Sequence, residues 1–240
     1  MKKKSTGIRR LGYTLYRGLS VFTAIALLCC FTAVSARASD SAAEAEKIVN
    51  TSQKTLESFM ADPQMDSFRS SLQNATAVLI IPELLKAGIL VAGSGGNGVF
   101  LLKDEKTDRW SYPYFYTMVS ASIGLQVGAK ASELMLLFMN RQAVDRMLAS
   151  TKFELGGDAT VSAGAKGGSR GAVVSDILSY SRTKGLFGGF SVDGGMIQAR
   201  PLYNKYYYGP EYQPMDILIH QKADNPQADP LRDALKKAAE

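Results

Sequence analysis

The sequence predicts an α+β fold, with N-terminal amphipathic helices packed on a curved antiparallel β-sheet that curls or closes and one short internal helix. Glycine distribution is the first reason. Three of the 22 glycines lie in residues 1–38, and the other 19 all lie between residues 88 and 209. A glycine-free segment favours helix, whereas glycines between apolar runs are typical of hairpins and bulges. The second reason is a succession of short strand-like runs interrupted by one helix, which favours an antiparallel sheet over βαβ units.

The first 38 residues have the organisation of a secretory signal peptide. A basic stretch precedes an uncharged apolar run over 21–34, and residues 36–38 then supply an A-x-A cleavage pattern. The apolar run is shorter than the roughly 20 residues that a membrane-spanning helix needs. We therefore expect cleavage between Ala38 and Ser39 and export to a periplasmic or extracellular compartment, where peripheral membrane association is open to the protein.

The basic excess of the chain belongs to the same segment. The whole chain has 28 Lys plus Arg against 22 Asp plus Glu, a net charge of +6. Seven of the basic residues and none of the acidic ones lie in residues 1–38, so the remainder has 21 against 22 and a net charge of −1. A nearly neutral domain gives no reason to expect nucleic acid as a partner. Both cysteines, Cys29 and Cys30, also lie in residues 1–38. The alternatives to simple cleavage are lipidation at one of these cysteines and retention of the whole segment as an uncleaved anchor.

Residues 39–74 are predicted to form a helical segment. Ser41 to Glu44 is a capping-box pattern, and apolar positions then recur at three- and four-residue steps until Asp62-Pro63 ends the helix. This face consists of Ala45, Ile48, Val49, Ser52, Leu56, Phe59 and Met60. Its outer face mixes acidic and basic residues, whereas membrane-surface helices are mainly basic there, so we expect it to pack on the core. A shorter helix is expected from Asp66.

Residues 75–212 are predicted to form the β-rich domain. Strands are expected at 77–81, where Pro82 ends the run, and then at 89–91, 99–102, 110–126, 153–163, 177–182, 186–192 and 196–199. The apolar run over 133–139 fits a strand or a helix. Asn140 is positioned to cap a helix over Arg141–Ala149, in which Val144 and Leu148 share a face.

Residues 213–240 are predicted to be a polar tail that ends in a short helix. Asp229 can cap this helix and Pro230 fits its first position. One face carries Leu231, Ala234, Leu235 and Ala238. The helix either docks on the domain or stays loose, and we expect it to stay loose.

Two glycine-rich segments resemble nucleotide-binding loops only in part. Residues 93–98 fit G-x-G-x-x-G, but a strand-like run follows them where a dinucleotide site needs a helix, so we expect a glycine-rich hairpin. Residues 164–171 lack the G-x-x-x-x-G-K-[ST] pattern and are interpreted as a mobile loop. Anion binding by its amides with Lys166 or Arg170 is the alternative.

The sequence has no positive sign of catalysis. His220 is the single histidine, there is no G-x-S-x-G elbow, and the part after residue 38 has no cysteine for a structural zinc site. We therefore expect no enzymatic activity, no metal and no cofactor, and we expect His220 to lie on the surface.

Two aromatic clusters suit either a core or a surface. The first consists of Trp110, Tyr112, Tyr114, Phe115 and Tyr116, and the second of Tyr203, Tyr206, Tyr207, Tyr208 and Tyr212. Tyrosine and tryptophan suit environments that are apolar at one end and wet at the other. We expect them to pack in the core and cover sheet edges, with a lipid or partner surface as the alternative.

Several short motifs follow one another between Ala75 and Tyr212. They are Lys86-Ala-Gly88, Trp110-Ser-x-Pro113, Gly124-Leu-Gln-Val-Gly-Ala129, Leu136-Leu-Phe-Met-Asn140, Lys152-Phe-Glu-Leu-Gly156, Ser179-Tyr-Ser-Arg-Thr-Lys-Gly-Leu-Phe187 and Tyr207-Tyr-Gly209. In this order the set resembles the SYLF lipid-binding domain, the family that includes a yeast actin-patch protein. One departure is the segment 164–168, where many members carry a Gly-Pro-x-Gly-Arg-like turn.

The resemblance implies a non-catalytic domain that binds lipid or membrane, of the phosphoinositide-binding type, and some members also bind actin. A secreted bacterial-type protein is not expected to meet actin. We therefore predict a phospholipid-binding domain of the cell envelope whose partner is an anionic phospholipid or membrane surface. An envelope scaffold that contacts protein through its tyrosine-rich surface is the alternative. The candidate lipid contacts are the cations nearest the motifs and two apolar residues: Lys130, Lys152, Lys166, Arg170, Arg182, Lys184, Phe187 and Phe190.

Overall fold

Side-chain caps begin only some of the described helices. The helices that start at Asp66, Pro201 and Asp229 have no side-chain cap hydrogen bond, so the prediction that Asp229 caps the last of them was wrong. The structure is a computed structural model that describes residues 41–88, 91–123, 128–164, 175–183, 186–188, 192, 194–209 and 211–240. Its helices are α1 over 41–61, α2 (Asp66–Gln73), α3 (Arg141–Ala149), α4 (Pro201–Tyr208), α5 (Pro214–Leu218) and α6 (Asp229–Ala239). The prediction of α3 is confirmed, because the Asn140 side chain accepts a hydrogen bond from the Ala143 amide at 2.9 Å. The predicted cleavage site at Ala38 and Ser39 lies outside the described residues.

Nine strands within the described ranges form one curled, open sheet. They are β1 (Ala77–Gly88), β2 (Val91–Leu102), β3 (Tyr114–Ile123), β4 (Gly128–Phe138), β5 (Phe153–Glu154), β6 (Val161–Ala163), β7 (Ile177–Thr183), β8 (Leu186–Gly188) and β9 (Met196–Ala199). The order is β5-β9-β3-β2-β1-β4-β7-β6, and β8 pairs with β7. The α+β class is therefore confirmed.

One strand pair in this sheet is parallel, so the sheet is mixed rather than wholly antiparallel. Strand β6 runs parallel to β7, while the other described strand pairs are antiparallel. Because the two strands run in the same direction, the chain must return to the edge of the sheet at which β6 begins. The 13 residues between Ala163 and Ile177 are available for this return. Parallel neighbours need a connection of about a dozen residues or more, so this length permits the arrangement.

Both faces of the central strands are buried, which is why these strands are apolar without alternation. Val78 and Ile80 belong to a core cluster shared with α1, α2 and α6. Leu79 and Ile81 point the other way and belong to a cluster shared with α3 and α5. We call these two sides of the sheet the α1 face and the α3 face. Both clusters lie within Glu44–Glu240, which is one compact unit, so a chain that begins at Ser39 retains every core residue.

Pro82 does not end β1, so that prediction was wrong. The strand continues to Gly88, and its register shifts around the proline against both β2 and β4. Proline has no N–H to donate to a neighbouring strand, and an irregularity in the ladder accommodates it. The strand resumes beyond it as a second stretch, Leu84–Gly88, that pairs with β4.

The glycine-rich segment 93–98 is strand rather than a hairpin turn, which corrects a second prediction. It lies within β2 and pairs with both β1 and β3. A Cβ on Gly96 would lie 2.4 Å from the Glu83 carbonyl oxygen, and one on Gly98 would lie 2.2 Å from the Ile80 carbonyl oxygen. The two glycines therefore let β2 pass close to the irregular part of β1. This requirement comes from the neighbouring strand, which local sequence does not reveal.

The C-terminal helix α6 is docked on the domain, so the expectation of a loose tail was wrong. Leu231 and Leu235 are fully buried and belong to the same cluster as the apolar residues of α2. The Arg232 guanidinium donates to the Trp110 carbonyl at 3.0 Å and lies 3.8 Å from the centre of the Tyr112 ring. The apolar stripe that sequence periodicity shows on this helix thus has an apolar surface to cover.

Asp176 joins the start of α3 to the β6–β7 region. Its carboxylate accepts hydrogen bonds from the Asn140 side chain at 2.7 Å and from the Thr160 amide at 2.9 Å, and Arg146 lies 3.3 Å away. The pKa of Asp176 is lowered below its ordinary value, mainly by the hydrogen bond from Asn140. The hydrogen bonds from Thr160 and the positive charge of Arg146 lower this pKa further.

We expect Asp176→Asn to lower the melting temperature at neutral pH by more than it does in acid. A carboxyl whose folded-state pKa is depressed stabilises the fold above its unfolded pKa, and this stabilisation disappears as pH falls through the folded value. Thermal unfolding of both proteins across pH 7 to about 2.5 measures the difference. Asp145→Asn is the control, because Asp145 only pairs with Arg141 on the exposed side of α3. A difference in melting temperature that stays constant with pH would contradict the assignment.

Candidate functional site

The candidate site is the end of the sheet at which β1 and β3 end and β2 and β4 begin. We call residues 84–88, 91–97, 117–123 and 128–132 the sheet end. The four strands remain paired throughout it, and the described pairs nearest the turns are Gly88 with Gly128 and Val91 with Ile123. None of its residues is acidic, and two are lysines, so the sheet end carries a local charge of +2 within a nearly neutral domain.

An uncovered apolar row crosses the α1 face of the sheet end. Leu85 on β1 pairs with Gly95 on β2, which pairs with Val119 on β3. Leu85 is 54% exposed and Val119 is 41% exposed. Leu202 and Met215 are the other large apolar residues that the structure describes as exposed, and they lie on α4 and α5. The row is therefore a concentration of exposed apolar surface on a rigid strand scaffold.

A cleft of about 480 Å³ lies beside this row, between the first turns of α1 and the strands. Its walls include Lys47, Glu83, Leu85 and Arg200, with Glu44 at its edge. Lys47 forms an exposed ion pair with Glu44 at 3.6 Å. Two basic and two acidic side chains thus line the cleft, so it has no net charge with which to select an anion.

The opposite, α3 face of the sheet end carries the positive charge. Lys86 on β1 is the direct register partner of Lys130 on β4, and Ser94 on β2 is the partner of Lys86 on the other side. Lys86 follows the buried Leu84 by two residues, which places the lysine pair on the same face as that residue. The sheet end therefore has one apolar face and one face with cations and hydroxyl groups.

The predicted lipid contacts do not gather into a single patch. Lys130 lies in the sheet end and is exposed, whereas Lys152 is exposed in the turn between α3 and β5 at another edge of the sheet. Phe187 belongs to β8, and its backbone is the register partner of Arg182. The remaining candidates, Lys166, Arg170, Lys184 and Phe190, lie outside the described residues, as does most of the glycine-rich segment after Gly164.

Arg182 is held in an ion-pair network between the sheet and α1. Its guanidinium donates to Glu133 Oε2 at 2.8 and 2.6 Å and to Ser58 Oγ at 2.6 Å. Asp62 lies 3.8 Å away, and the Phe59 ring centre lies 5.0 Å from the guanidinium carbon. The arginine side chain is only 11% exposed. A lipid phosphate would therefore have to displace an existing carboxylate partner.

Most of the tyrosines of the two aromatic clusters are used inside the fold. Tyr114 and Tyr116 are buried on the α3 face, and burial raises the pKa of Tyr114 to about 12. Tyr207 donates to the Gln227 side chain and Tyr208 donates to the Pro113 carbonyl. These hydrogen bonds hold α4 against neighbouring segments. The expected core packing is confirmed for these side chains.

The described residues contain no arrangement typical of a metal site. His220 is exposed, as predicted. No group of three or more His, Cys, Asp or Glu side chains among the described residues is placed to hold a metal ion. In the same ranges, no helix has the length and apolar character required to cross a membrane.

The predicted contacts did not include Leu85, Lys86 or Val119, although Lys86 belongs to one of the family motifs. The strand was predicted to end at Pro82, so the alternation of Leu85, Lys86 and Ala87 was not interpreted as two faces of a sheet. Two-residue periodicity after the proline was the signal that could have identified these residues.

Comparison with known proteins identifies the family. The family model described as Ysc84, Las17-binding protein actin regulator, matches residues 119–238, half of the chain. Protein YSC84 of Saccharomyces cerevisiae is 32% identical over 203 residues, covering 82% of this chain and 42% of the relative. LAS seventeen-binding protein 3 of the same yeast is 33% identical over 175 residues, covering 70% and 38%. SH3 domain-containing YSC84-like protein 1 of Mus musculus is 29% identical over 167 residues, covering 68% and 49%.

The matches thus span less than half the length of each of these relatives, and they cover about two thirds or more of this chain. The family match also includes α6, which agrees with a docked C-terminal helix. The chain therefore belongs to the Ysc84 family of Las17-binding protein actin regulators, as the resemblance to the SYLF domain implied.

Proposed function

We propose that this chain is a non-catalytic phospholipid-binding domain of the cell envelope that meets the membrane with its sheet end. The observation that carries the proposal is the uncovered row of Leu85, Gly95 and Val119 on the α1 face. Exposed apolar side chains that share one rigid surface are typical of interaction sites, whereas apolar residues scattered singly need no explanation.

The size of the apolar row suits reversible binding. Complete burial of a leucine or valine side chain contributes about 1.5–3 kcal/mol, and roughly half of each side chain here is already buried. Transfer of the remainder into the membrane interface would contribute about 1 kcal/mol for each residue. Such a gain supports peripheral association rather than permanent insertion.

The charge of the sheet end is compatible with contact with an anionic membrane surface, because its charged residues are two lysines. The sheet end itself has no acidic residue, although Glu44 and Glu83 line the cleft beside it. Lysines two or more residues from the turns add about 1 kcal/mol each near an anionic surface.

A binding role is favoured over a reaction because the family is described by what it binds and regulates. Las17 binding and actin regulation belong to the description of the family. We do not carry actin over to this chain, because residues 1–38 have the organisation of an export signal and an exported domain would not meet actin. Phospholipid is the ligand that remains available in the envelope.

Vesicle flotation tests this proposal with residues 39–240. We expect binding to vesicles, and we expect the double substitution Leu85→Ser and Val119→Ser to weaken it by roughly 30-fold, since the two side chains supply about 2 kcal/mol. The matched control is Leu202→Ser with Met215→Ser, which removes comparable exposed apolar surface from α4 and α5.

Two results would contradict the proposal. One is the absence of binding to any phospholipid vesicle by the unaltered protein. The other is equal loss of binding in the two double variants, which would show that the sheet end is not the contact surface. Thermal unfolding of both variants establishes that each remains folded. Cell fractionation of the native protein tests its envelope location separately.

A further inference from the structure

We propose that the cleft beside the apolar row binds a phosphoethanolamine group, whose ammonium end meets Glu83 and whose phosphate end meets Arg200. The inference rests on the proposed function where this group is the headgroup of a phospholipid, and it stands alone where the group belongs to a soluble molecule. It concerns which headgroup the domain selects, whereas the apolar row concerns binding to a membrane as such.

Two charged side chains of the cleft have no partner of opposite charge in the part of the chain that the structure describes. Glu83 is exposed and Arg200 is partly exposed, and both line the cleft without forming an ion pair. The other two charges, Lys47 and Glu44, pair with each other at 3.6 Å. One carboxylate and one guanidinium are therefore left for a ligand that carries both signs of charge.

Strand order keeps these two charges on opposite sides of the cleft. Glu83 lies in the irregular part of β1, and Arg200 directly follows β9, with β2 and β3 between these strands. Because neighbouring strands lie about 4.8 Å apart, three intervals place the two backbones roughly 14 Å from each other. The Arg200 amide donates to the Phe115 carbonyl at 2.9 Å, which fixes its backbone beside β3. A ligand with two opposite charges a few bonds apart can therefore join side chains that do not pair directly.

Polar side chains lie on the strands between the two charges. Asn97 on β2 is the register partner of Thr117 on β3, and both line the cleft. The Thr117 hydroxyl donates to the Gly96 carbonyl at 3.1 Å, so its oxygen can still accept a hydrogen bond. The side-chain amide of asparagine can donate as well as accept. The cleft thus offers hydrogen bonds along the line from the carboxylate to the guanidinium.

The two ends of the cleft suit different parts of a phosphoethanolamine group. The guanidinium carbon of Arg200 lies 4.7 Å from the centre of the Tyr203 ring, a contact that orients the planar donors, and such donors match the geometry of phosphate. At the other end, a primary ammonium has three N–H groups that the Glu83 carboxylate can accept. Quaternary ammonium groups are typically bound by aromatic cages, and none of the described residues that line the cleft is aromatic. The cleft should therefore prefer ethanolamine to choline.

Leu85 connects the cleft to the apolar row, because it lines the one and belongs to the other. The volume of about 480 Å³ lies within the range of about 300–1,000 Å³ that is usual for small-molecule sites. A phospholipid whose headgroup enters the cleft would thus lie where the apolar row meets the membrane interface.

The experiment compares two kinds of vesicle that carry no net charge. Residues 39–240 are floated with phosphatidylcholine vesicles and with vesicles that also contain phosphatidylethanolamine. We expect the unaltered protein to prefer the second kind. We expect Glu83→Gln and Arg200→Gln each to lose roughly tenfold in affinity for vesicles with phosphatidylethanolamine, since each removes a charge-assisted hydrogen bond. Binding to phosphatidylcholine alone, which depends on the apolar row, should stay unchanged.

The control variant removes the same two charges elsewhere. Glu105→Gln with Arg109→Gln changes two exposed residues in the connection between β2 and β3, at the other end of these strands. This variant should keep the preference for phosphatidylethanolamine. If either cleft variant keeps that preference, or if the control loses it, the assignment of the cleft is overturned. Thermal unfolding excludes misfolding as the cause of any loss.

Calorimetric titration with phosphoethanolamine separates the headgroup of a lipid from a soluble ligand. If the unaltered protein binds neither kind of vesicle, the proposed membrane function fails, and the titration alone decides the cleft. Saturable binding that both cleft variants lack would then support a site for a soluble phosphoethanolamine compound. If the vesicles are bound without preference and the titration shows no saturable binding, the inference is wrong while the proposed function stands.

Discussion

Replacing Arg182 with alanine is expected to lower the free energy of unfolding by about 3 kcal/mol. At about 2–4 °C for each kcal/mol in a domain of this size, the melting temperature should fall by roughly 6–12 °C. Glu133 on β4 would lose the guanidinium that donates two hydrogen bonds to it. Ser58 on α1 would lose the hydrogen bond that connects this helix to Arg182 on β7. Removing one member of a largely buried ion pair leaves the other member without its charged partner, which is more costly than losing a surface pair.

Arg141→Ala is the matched control for this prediction. Arg141 pairs with Asp145 at 2.8 Å within α3, and both side chains are about half exposed. Such a pair contributes about 0.3–0.5 kcal/mol, so the control should unfold close to the unaltered protein. If Arg182→Ala were equally mild but reduced vesicle binding, the arginine would be a lipid contact, as the sequence alone suggested, rather than a structural connection.

Gly98→Ala is the second substitution from which we expect a large effect. Its methyl group would lie 2.2 Å from the Ile80 carbonyl oxygen and 2.8 Å from an Ile81 side-chain carbon, and the backbone oxygen cannot move without disturbing β1. Overpacking of this kind typically costs about 1–3 kcal/mol, and a collision with backbone belongs at the upper end. Urea unfolding measures the loss.

Gly93→Ala provides the comparison within the same strand. A Cβ on Gly93 meets no heavy atom within 4 Å, so alanine fits there without a collision. This variant should be as stable as the unaltered protein or slightly more stable, since alanine restricts the unfolded chain more than glycine does. Equal losses in the two variants would show that the close approach of β1 and β2 is not what requires glycine.

Elements that depend on local sequence were predicted well. Helix α3 was predicted from Asn140 and a few apolar residues, because a side-chain cap and one buried face suffice to define a short helix. The buried face of α1 was predicted for the same reason, and Ala45, Leu56 and Phe59 are indeed buried. These features depend on residues three or four positions apart.

Features that depend on distant neighbours were missed. Whether β1 stops at Pro82 depends on how β2 and β4 pair with it, and the role of Gly96 and Gly98 depends on the carbonyl groups of β1. The docking of α6 depends on α2, which lies more than 150 residues earlier in the chain. No periodicity within one segment contains this information.

The candidate site was predicted only in part for the same reason. Proximity to family motifs pointed to Lys130, which does lie in the sheet end, but it also pointed to Arg182, which is held by Glu133. The strand register makes Lys86 the direct partner of Lys130, and this neighbour cannot be identified from the sequence around Lys86. Charge alone did not distinguish a cation that serves the fold from one that faces solvent.

The core cluster that α1 and α6 share has a consequence for the order of folding. The side chain of Gln227, next to α6, donates to Asn50 on α1 at 2.8 Å, across a separation of 177 residues. This core cannot be completed while the C-terminal helix is still in the ribosome, and closing so long a segment is slow. A chain in which α6 has not yet formed should therefore lack part of this core, and it would acquire its stable form only after α6 docks.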